Sequence, residues 1–273
     1  MLMQRVVTAL VLLPLLLAAI FFAPTPWLYT LFSAAGILIA WEWTGIMGMN
    51  GKTMQRGIYL ALTALLLAAG WQVPVALRCW IFGAAGLWWL TACALLPGFP
   101  ENFRRRPPPK MLMGLLGLLL IVSTLLALAT LHAMSNGVYK LIYLFFLIFA
   151  ADTGAYLAGR NFGKHKLAPN VSPGKTVEGA IGGLLLCAAW SLTAGMWAFQ
   201  PQGMMIWELL ALSLLVAVFS IVGDLTESMF KRVAGLKDSG NILPGHGGIL
   251  DRVDSLLAAA PIMVLGLQLL RLQ

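Results

Sequence analysis

The sequence predicts an all-α polytopic membrane protein. Hydrophobic residues make up 60% of the 273 positions, charged residues only 10%, and the mean hydropathy is +0.87. Apolar stretches of about 20 residues, long enough to cross a bilayer core of about 30 Å, recur along the chain. Lipid offers the backbone no hydrogen bonds, so such stretches must be helical. We predict nine transmembrane helices with short connectors, at about 5–25, 27–48, 57–73, 76–97, 111–133, 138–159, 177–199, 204–225 and 249–271.

The basic residues predict the orientation of these helices. When the loops are taken alternately, 15 of the 18 Lys and Arg residues lie on one side and 3 on the other. Basic residues concentrate on cytosolic loops, so we expect a cytosolic N-terminus and a C-terminus outside, on the periplasmic side. The larger set is Arg5, Lys52, Arg56, Arg104, Arg105, Arg106, Lys110, Arg160, Lys164, Lys166, Lys175, Lys231, Arg232, Lys237 and Arg252. The net charge of +8 therefore suits anionic lipid and phosphates and gives no reason to expect nucleic acid.

The two halves of the chain differ in polarity. Residues 1–135, with about five spans, are mostly apolar, and we predict that they serve as scaffold and lipid access. Glu42 is the exception, and we interpret it as lying near a helix end in an aromatic belt, with a substrate contact as the alternative. The segment 97–110 is predicted to be an extended basic loop on anionic lipid. Residues 136–273, with about four spans and cytosolic motif loops, form the predicted catalytic region.

Carboxylates are predicted to meet at one membrane face of this second half. Asp224 with Glu227 and Asp251 with Asp254 are spaced i, i+3, which places each pair on one helix face. Mg²⁺ is typically held by one or two carboxylates together with substrate phosphates. We therefore expect Asp224 and Asp251 to be metal ligands, with Asp152 and Asp254 as further candidates. The alternative is a set of ion pairs with Lys231, Arg232 and Arg252.

Asp152 lies inside a predicted span. An acid within a membrane segment is expensive unless it is paired or functional. Its candidate partners are a bound metal or Arg160, and a structural hydrogen bond to a neighbouring helix is the alternative.

A glycine-rich stretch, Pro-Gly-His-Gly-Gly at 244–248, leads directly into the ninth predicted span. Glycines allow backbone N–H groups to approach a ligand closely, and a helix N-terminus favours anions. We therefore predict that Gly247 and Gly248 bind substrate phosphate. His246 would contact a phosphate or shuttle a proton, and a purely structural histidine is the alternative.

A second stretch, Ser-Pro-Gly-Lys-Thr at 172–176, precedes the seventh predicted span. A P-loop is excluded because the first glycine of that motif would fall at Pro169 and no strand is predicted before it. Residues of this stretch can still bind phosphate at a helix N-terminus, and Thr176 is equally suited to capping the helix. In this stretch, Ser172, Lys175 and Thr176 are candidates for binding an anionic substrate. Lys164 and Lys166, just before it, are further candidates.

Taken together, the motifs lie in one register over about 150–255. They comprise 152–156, 163–169, 172–179, 228–232, 237–238, 244–248 and 251–254. This pattern resembles the phosphatidate cytidylyltransferases of bacterial type, also called CDP-diacylglycerol synthases. Residues 1–135 resemble the family only in being apolar and multi-spanning.

The resemblance implies transfer of CMP from CTP to phosphatidate, which gives CDP-diacylglycerol and pyrophosphate for phospholipid biosynthesis. It implies dependence on Mg²⁺, with one or two metal ions, and a site that faces the cytosol from the bacterial inner membrane. It also suggests a homodimer, although the sequence identifies no interface. The catalytic candidates are Asp224, Lys231, Arg232, His246, Asp251 and Arg252. The substrate-binding candidates are Lys164, Lys166, Ser172, Lys175, Thr176, Ser228, Lys237, Gly247 and Gly248.

Other functions fit less well. The CDP-alcohol phosphotransferases need a glycine directly after the second aspartate of D-x-x-D, where this chain has Ser255. A CTP-dependent polyprenol kinase stays open, and it would release CDP rather than pyrophosphate. A secondary transporter would place ion sites near the midplane between internal repeats. Most acids here cluster at one face, and no repeat is visible.

Overall fold

The computed structural model describes residues 2–243, 245 and 247–271. The described chain is mostly helical, with one small sheet. Its helices are α1 (Leu2–Phe22), α2 (Thr25–Ile46), α3 (Thr53–Gln72), α4 (Val75–Leu95), α5 (Glu101–Arg105), α6 (Lys110–His132), α7 (Gly137–Phe162), α8 (Val177–Phe199), α9 (Met205–Val233) and α10 (Leu250–Leu269). A 3₁₀ turn at Leu96–Gly98 continues α4.

Within the described residues, each of the nine predicted spans coincides with a helix of at least 20 residues. Five helical segments of the described chain are long and apolar enough to cross a bilayer: α4 with its 3₁₀ turn, α6, α7, α8 and α9. The expectation of an all-α integral membrane protein is therefore confirmed at this level.

Helix α6 is the centre of the bundle. It packs against α2, α3, α4, α7 and α10, and most of its residues are buried. Prolines precede α2, α4 and α6 as N-cap residues, where the missing N–H costs no helical hydrogen bond. Helices α7 and α8 form one extensive contact, and α9 and α10 form another. These two pairs carry the predicted motifs.

The close packing of α7 on α8 depends on small residues. A Cβ added to Gly154 would lie 2.5 Å from the carbonyl oxygen of Gly182, and one on Gly183 would lie 2.6 Å from that of Ala151. The backbones of the two helices therefore touch where larger side chains would separate them.

The connection between α7 and α8 is not only a loop. It contains an antiparallel hairpin of β1 (Lys166–Ala168) and β2 (Ser172–Thr176), which the sequence did not predict. Three- and five-residue strands carry too little alternation to be read from a sequence. The side chain of Asn170, at the turn, donates a hydrogen bond to the carbonyl oxygen of Phe99, 3.1 Å away, and Val171 is buried. The hairpin is thereby held against the α4–α5 connection.

The end of one predicted helix and the conformation of one predicted loop were wrong. Helix α9 continues to Val233 instead of ending near 225, so several motif residues lie on a helix rather than in a loop. No glycine or proline interrupts 224–233, and a Glu227–Lys231 ion pair at i, i+4 supports the extension. The basic segment 97–110 is not wholly extended, because α5 forms within it. Glu101 in the first turn of α5 and arginines in the last turn suit the helix dipole.

Candidate active site

A cavity of about 350 Å³ opens between α7, the hairpin, α8 and α9. Its charged side chains are Asp152 and Arg160 from α7 and Lys175 from β2. Ile221 of α9 also lines it. Small residues of the α7–α8 contact line much of the remaining wall. Basic and acidic groups thus surround a space large enough for part of a phosphorylated ligand.

Lys175 connects the hairpin to α9. Its Nζ lies 2.6 Å from Oδ2 of Asp224, and both side chains are 28% exposed. The hydroxyl of Ser228, one turn further along α9, donates to Oδ1 of Asp224 at 3.4 Å. Three residues predicted to act on substrate or metal are therefore brought together, although they come from two separate motifs.

Lys231 is shared between two carboxylates. Its Nζ lies 2.5 Å from Oε2 of Glu227 and 2.7 Å from Oδ1 of Asp251, and its side chain is 11% exposed. The ion-pair alternative of the sequence analysis therefore applies to Lys231. In this arrangement it orders the carboxylates of α9 and α10 and leaves Lys175 as the predicted lysine that lines the cavity.

Asp251 closes the turn that leads into α10. Its carboxylate accepts the backbone N–H of Ser239, at 3.1 Å to Oδ1 and 3.0 Å to Oδ2, and that of Gly248 at 2.9 Å. A charged acceptor at a helix N-terminus is stabilising because of the unpaired N–H groups there. The N–H of Gly248, which the sequence predicted for substrate phosphate, is therefore directed at Asp251. Gly247 adopts φ +81°, which glycine tolerates best.

Asp152 and Asp254 lie close enough to Asp224 to interact with it electrostatically, and Lys175 is within range of both. The close approach of α9 to α10 accounts for the position of Asp254, since a Cβ on Gly223 would lie 2.6 Å from the carbonyl oxygen of Asp254. Arg160, the other predicted partner of Asp152, instead donates to the hydroxyl of Tyr156 at 3.0 Å.

The segment 163–176, which we call the hairpin segment, is anchored by Glu178 of α8. The carboxylate accepts the backbone N–H of Lys164 at 3.0 Å and that of His165 at 3.2 Å, and it contacts Nδ1 of the His165 ring at 2.6 Å. The hydroxyl oxygen of Thr176 accepts the N–H of Gly179 at 3.1 Å, so Thr176 caps α8 as the second interpretation expected.

Several predicted residues lie at the surface around this centre. Lys164, Lys166, Arg232, Lys237 and Arg252 are exposed, and Ser172 is partly buried in β2. The guanidinium of Arg232 donates to the carbonyl oxygen of Leu236 at 3.4 Å. His246 lies outside the described residues. The substrate and catalytic roles of all these residues stay predictions.

Glu42 is the residue at this site that sequence reasoning misplaced. It does lie near the end of α2, as predicted, but not in an aromatic belt. Its side chain is 2% exposed and contacts Ser239, Ile249 and Leu250. The signal for it was that Glu42 is the one acid within the predicted spans of residues 1–135, which indicates a buried partner. That partner, almost 200 residues away, could not be named from the sequence.

The donor set can be compared with the needs of Mg²⁺. Within the described residues, no three His, Cys, Asp or Glu side chains are arranged to hold a metal ion. Two carboxylates and substrate phosphates suffice for Mg²⁺, however. Asp224 provides one such carboxylate, with Asp152 and Asp254 nearby, but its Oδ2 is paired with Lys175 and would have to give up that contact. Asp251 would have to give up Lys231 or a backbone donor, since its oxygens are already engaged.

Comparison with known proteins decides the family. The model of the "Cytidylyltransferase family" matches residues 3–270. The chain belongs to this family. It is 42% identical over 264 residues to a phosphatidate cytidylyltransferase of Pseudomonas aeruginosa, covering 96% of this chain and 95% of that protein.

Two other relatives carry the same name. A phosphatidate cytidylyltransferase of Haemophilus influenzae is 38% identical over 283 residues, covering 96% of both chains. One from Staphylococcus aureus is 49% identical over 129 residues, covering 47% of this chain and 49% of its own. The resemblance that the sequence motifs suggested is therefore confirmed at the level of the family.

Proposed function

We propose that this chain is a phosphatidate cytidylyltransferase that transfers CMP from CTP to phosphatidate and releases pyrophosphate. The observation that carries the proposal is the family match over nearly the whole chain, with near full-length relatives of that name. The cavity beside Lys175 and Asp224 supplies charges of the kind that such a transfer requires.

The reaction asks for positioning and charge neutralisation more than for a strong base. The phosphatidate phosphate is itself an anionic nucleophile that attacks the α-phosphorus of CTP. Lys175 lines the cavity and neutralises phosphate charge, while Asp224 holds its ammonium group in place. Exposed Lys164, Lys166 and Arg232 attract both anionic substrates.

Magnesium is part of the proposal. Asp224, with Asp152 and Asp254 nearby and Asp251 as the second predicted ligand, would hold it, and a bound Mg²⁺ would neutralise the CTP phosphates. Lys231 and the backbone N–H of Ser239 and Gly248 keep the carboxylate of Asp251 in a fixed orientation.

The proposed setting is the bacterial inner membrane, with nine spans, a cytosolic N-terminus and an external C-terminus. The distribution of basic residues supports this orientation, because it places the hairpin segment and residues 234–249 on the cytosolic side, where CTP is available. Cysteines introduced singly into the loops and labelled from either side of intact cells test the topology. Light scattering in detergent tests the homodimer that the resemblance suggested.

The deciding experiment uses purified protein in detergent with CTP and phosphatidate, with Mg²⁺ or with EDTA. We expect pyrophosphate and lipid-linked cytidine in equal amounts, and neither product with EDTA. Release of CDP without lipid-linked cytidine would contradict the proposal and point to a lipid kinase. Failure of folded protein to turn over would also contradict it.

A further inference from the structure

The carboxylate of Glu42 connects the two halves of the protein. Its Oε1 accepts the backbone N–H of Ile249 at 3.0 Å. Its Oε2 accepts the backbone N–H of Leu250 at 2.7 Å and the hydroxyl of Ser239 at 3.2 Å. The donors lie at both ends of the segment 239–249, which we call the glycine loop. One side chain of α2 therefore ties both ends of this loop together.

The glycines of the loop make room for this carboxylate. A Cβ on Gly248 would lie 2.6 Å from Oε2 of Glu42, and one on Gly240 would lie 2.5 Å from Oε1. Any larger residue would push the carboxylate away or move the loop. The contact with Glu42 thus accounts for Gly240 and for Gly248, the second of which the sequence alone associated with substrate.

The N-terminus of α10 is consequently occupied. Gly248 donates its N–H to Asp251, and Ile249 and Leu250 donate theirs to Glu42. The favourable interaction of a helix N-terminus with an anion is used here by two carboxylates of the protein itself. These three N–H groups are therefore engaged within the protein.

The contacts of Glu42 lead directly to the charged centre. Ser239 donates its hydroxyl to Glu42 and its backbone N–H to Asp251, so the two carboxylates share one residue. Trp43 packs edge-on against Phe230, with ring centroids 5.6 Å apart, and Phe230 precedes Lys231. Adjacent residues of α2 thus support both partners of the Lys231–Asp251 pair.

We propose that Glu42 is a positioning residue for cytidylyl transfer, which fixes the glycine loop so that Asp251 and Lys231 keep their orientation. Glu42 acts through Asp251 and does not touch the substrate. The catalytic part of this inference rests on the proposed function, whereas the positioning of the loop does not.

The test compares Glu42→Gln with the wild type in detergent, by steady-state kinetics and by hydrogen exchange measured on peptides. We expect kcat to fall about 10- to 100-fold, because small displacements of reacting groups have effects of this size. We also expect KM for CTP to rise at least about threefold, since a smaller folded fraction alone would lower kcat without changing KM. Exchange in 239–250 becomes faster, while exchange in the hairpin segment stays unchanged.

Glu101→Gln controls for the loss of charge, and a comparison of Glu42→Asp with Glu42→Ala tests the need for a carboxylate. Glu101→Gln removes the same charge from an exposed helix of the same half and leaves kinetics and exchange as in the wild type. Glu42→Asp keeps the carboxylate and retains more activity than Glu42→Ala. Kinetic constants of Glu42→Gln within twofold of the wild type, or unchanged exchange in 239–250, would overturn the inference.

Ser239→Ala covers the case in which the Glu42 variants do not fold. It removes one of the three donors and leaves the backbone contact with Asp251. We expect faster exchange at 249–250 and a raised KM for CTP, and wild-type behaviour in both would overturn the inference. If the wild type makes no lipid-linked cytidine while exchange responds as expected, the proposed function fails and the positioning of the loop stands.

Discussion

The hairpin segment and the glycine loop are anchored in the same way but in different surroundings. Each is held by one carboxylate that accepts two backbone N–H groups and contacts one side chain. Glu178 lies 13 and 14 residues from its donors, and its side chain is 23% exposed. Glu42 lies 197 to 208 residues from its donors and is 2% exposed.

This difference shows that the surroundings of an anchor matter more than its number of hydrogen bonds. Water can replace Glu178 for its exposed donors, so little free energy is lost without it. No water replaces Glu42, because a buried donor left without an acceptor retains its full desolvation cost. The hairpin segment is thus a local and adjustable unit, whereas the glycine loop depends on the fold of the whole chain.

The largest expected loss of activity comes from replacing Asp224, beside the hairpin segment, or Asp251, beside the glycine loop. Asp224→Asn weakens the partner of Lys175 in the hairpin segment, and Asp251→Asn weakens the partner of Lys231 beside the glycine loop. We expect each to lower cytidylyl transfer at least about 100-fold, as removal of one fixed electrostatic contact does elsewhere. The assay is lipid-linked cytidine per folded protein. Near-normal turnover in either variant would exclude that acid as an essential group.

The second prediction concerns stability and separates the two anchors. Glu42→Ala leaves three donors without their acceptor, and we expect the free energy of unfolding to fall by about 2–5 kcal/mol. Glu178→Ala should lower the thermal unfolding temperature much less, because its donors reach water. Both are measured by intrinsic fluorescence on heating in detergent. Equal shifts for the two variants would contradict the comparison.

The third prediction tests the helix contacts beneath the two segments. Gly154→Ala presses on the backbone of α8 below the hairpin segment, and Gly223→Ala presses on that of α10 below the glycine loop. We expect each to destabilise the protein by about 1–3 kcal/mol through overpacking. Gly57→Ala is the matched control, since nothing beyond its chain neighbours and its own helix backbone lies within 4 Å of the added Cβ. It should be neutral or slightly stabilising.

The smallest effect is expected at the surface of the hairpin segment. His165→Ala removes the ring contact with Glu178 and leaves the two backbone donors in place, and the His165 side chain is 78% exposed. Exposed pairs contribute about 0–1 kcal/mol. We therefore expect activity within about threefold of the wild type. A loss as large as that of Asp224→Asn would show a direct role for the imidazole.

The sequence predicted the helices well and the connections poorly. Apolar stretches located the long helices because bilayer thickness imposes their length. The hairpin escaped prediction because its strands are short and it depends on contacts such as that of Asn170 with Phe99. The helix α5 and the end of α9 rest on local features, such as the Glu227–Lys231 pair, that apolar stretches do not mark. The ion-pair alternative correctly named Lys231, which contacts Glu227 and Asp251. The sequence could not indicate that Lys175 pairs with Asp224 or that Glu42 accepts the first N–H groups of α10.

The distance in sequence between Glu42 and its donors has a consequence for biosynthesis. Ribosomes add about 5–20 residues per second, so the 207 and 208 positions that separate Glu42 from Ile249 and Leu250 correspond to about 10–40 s of translation. Throughout that interval the first half of the chain carries an acid whose hydrogen-bond donors have not yet been made. A nascent chain that stops before residue 239 therefore lacks all three donors of the Glu42 carboxylate, which distinguishes it from a finished protein.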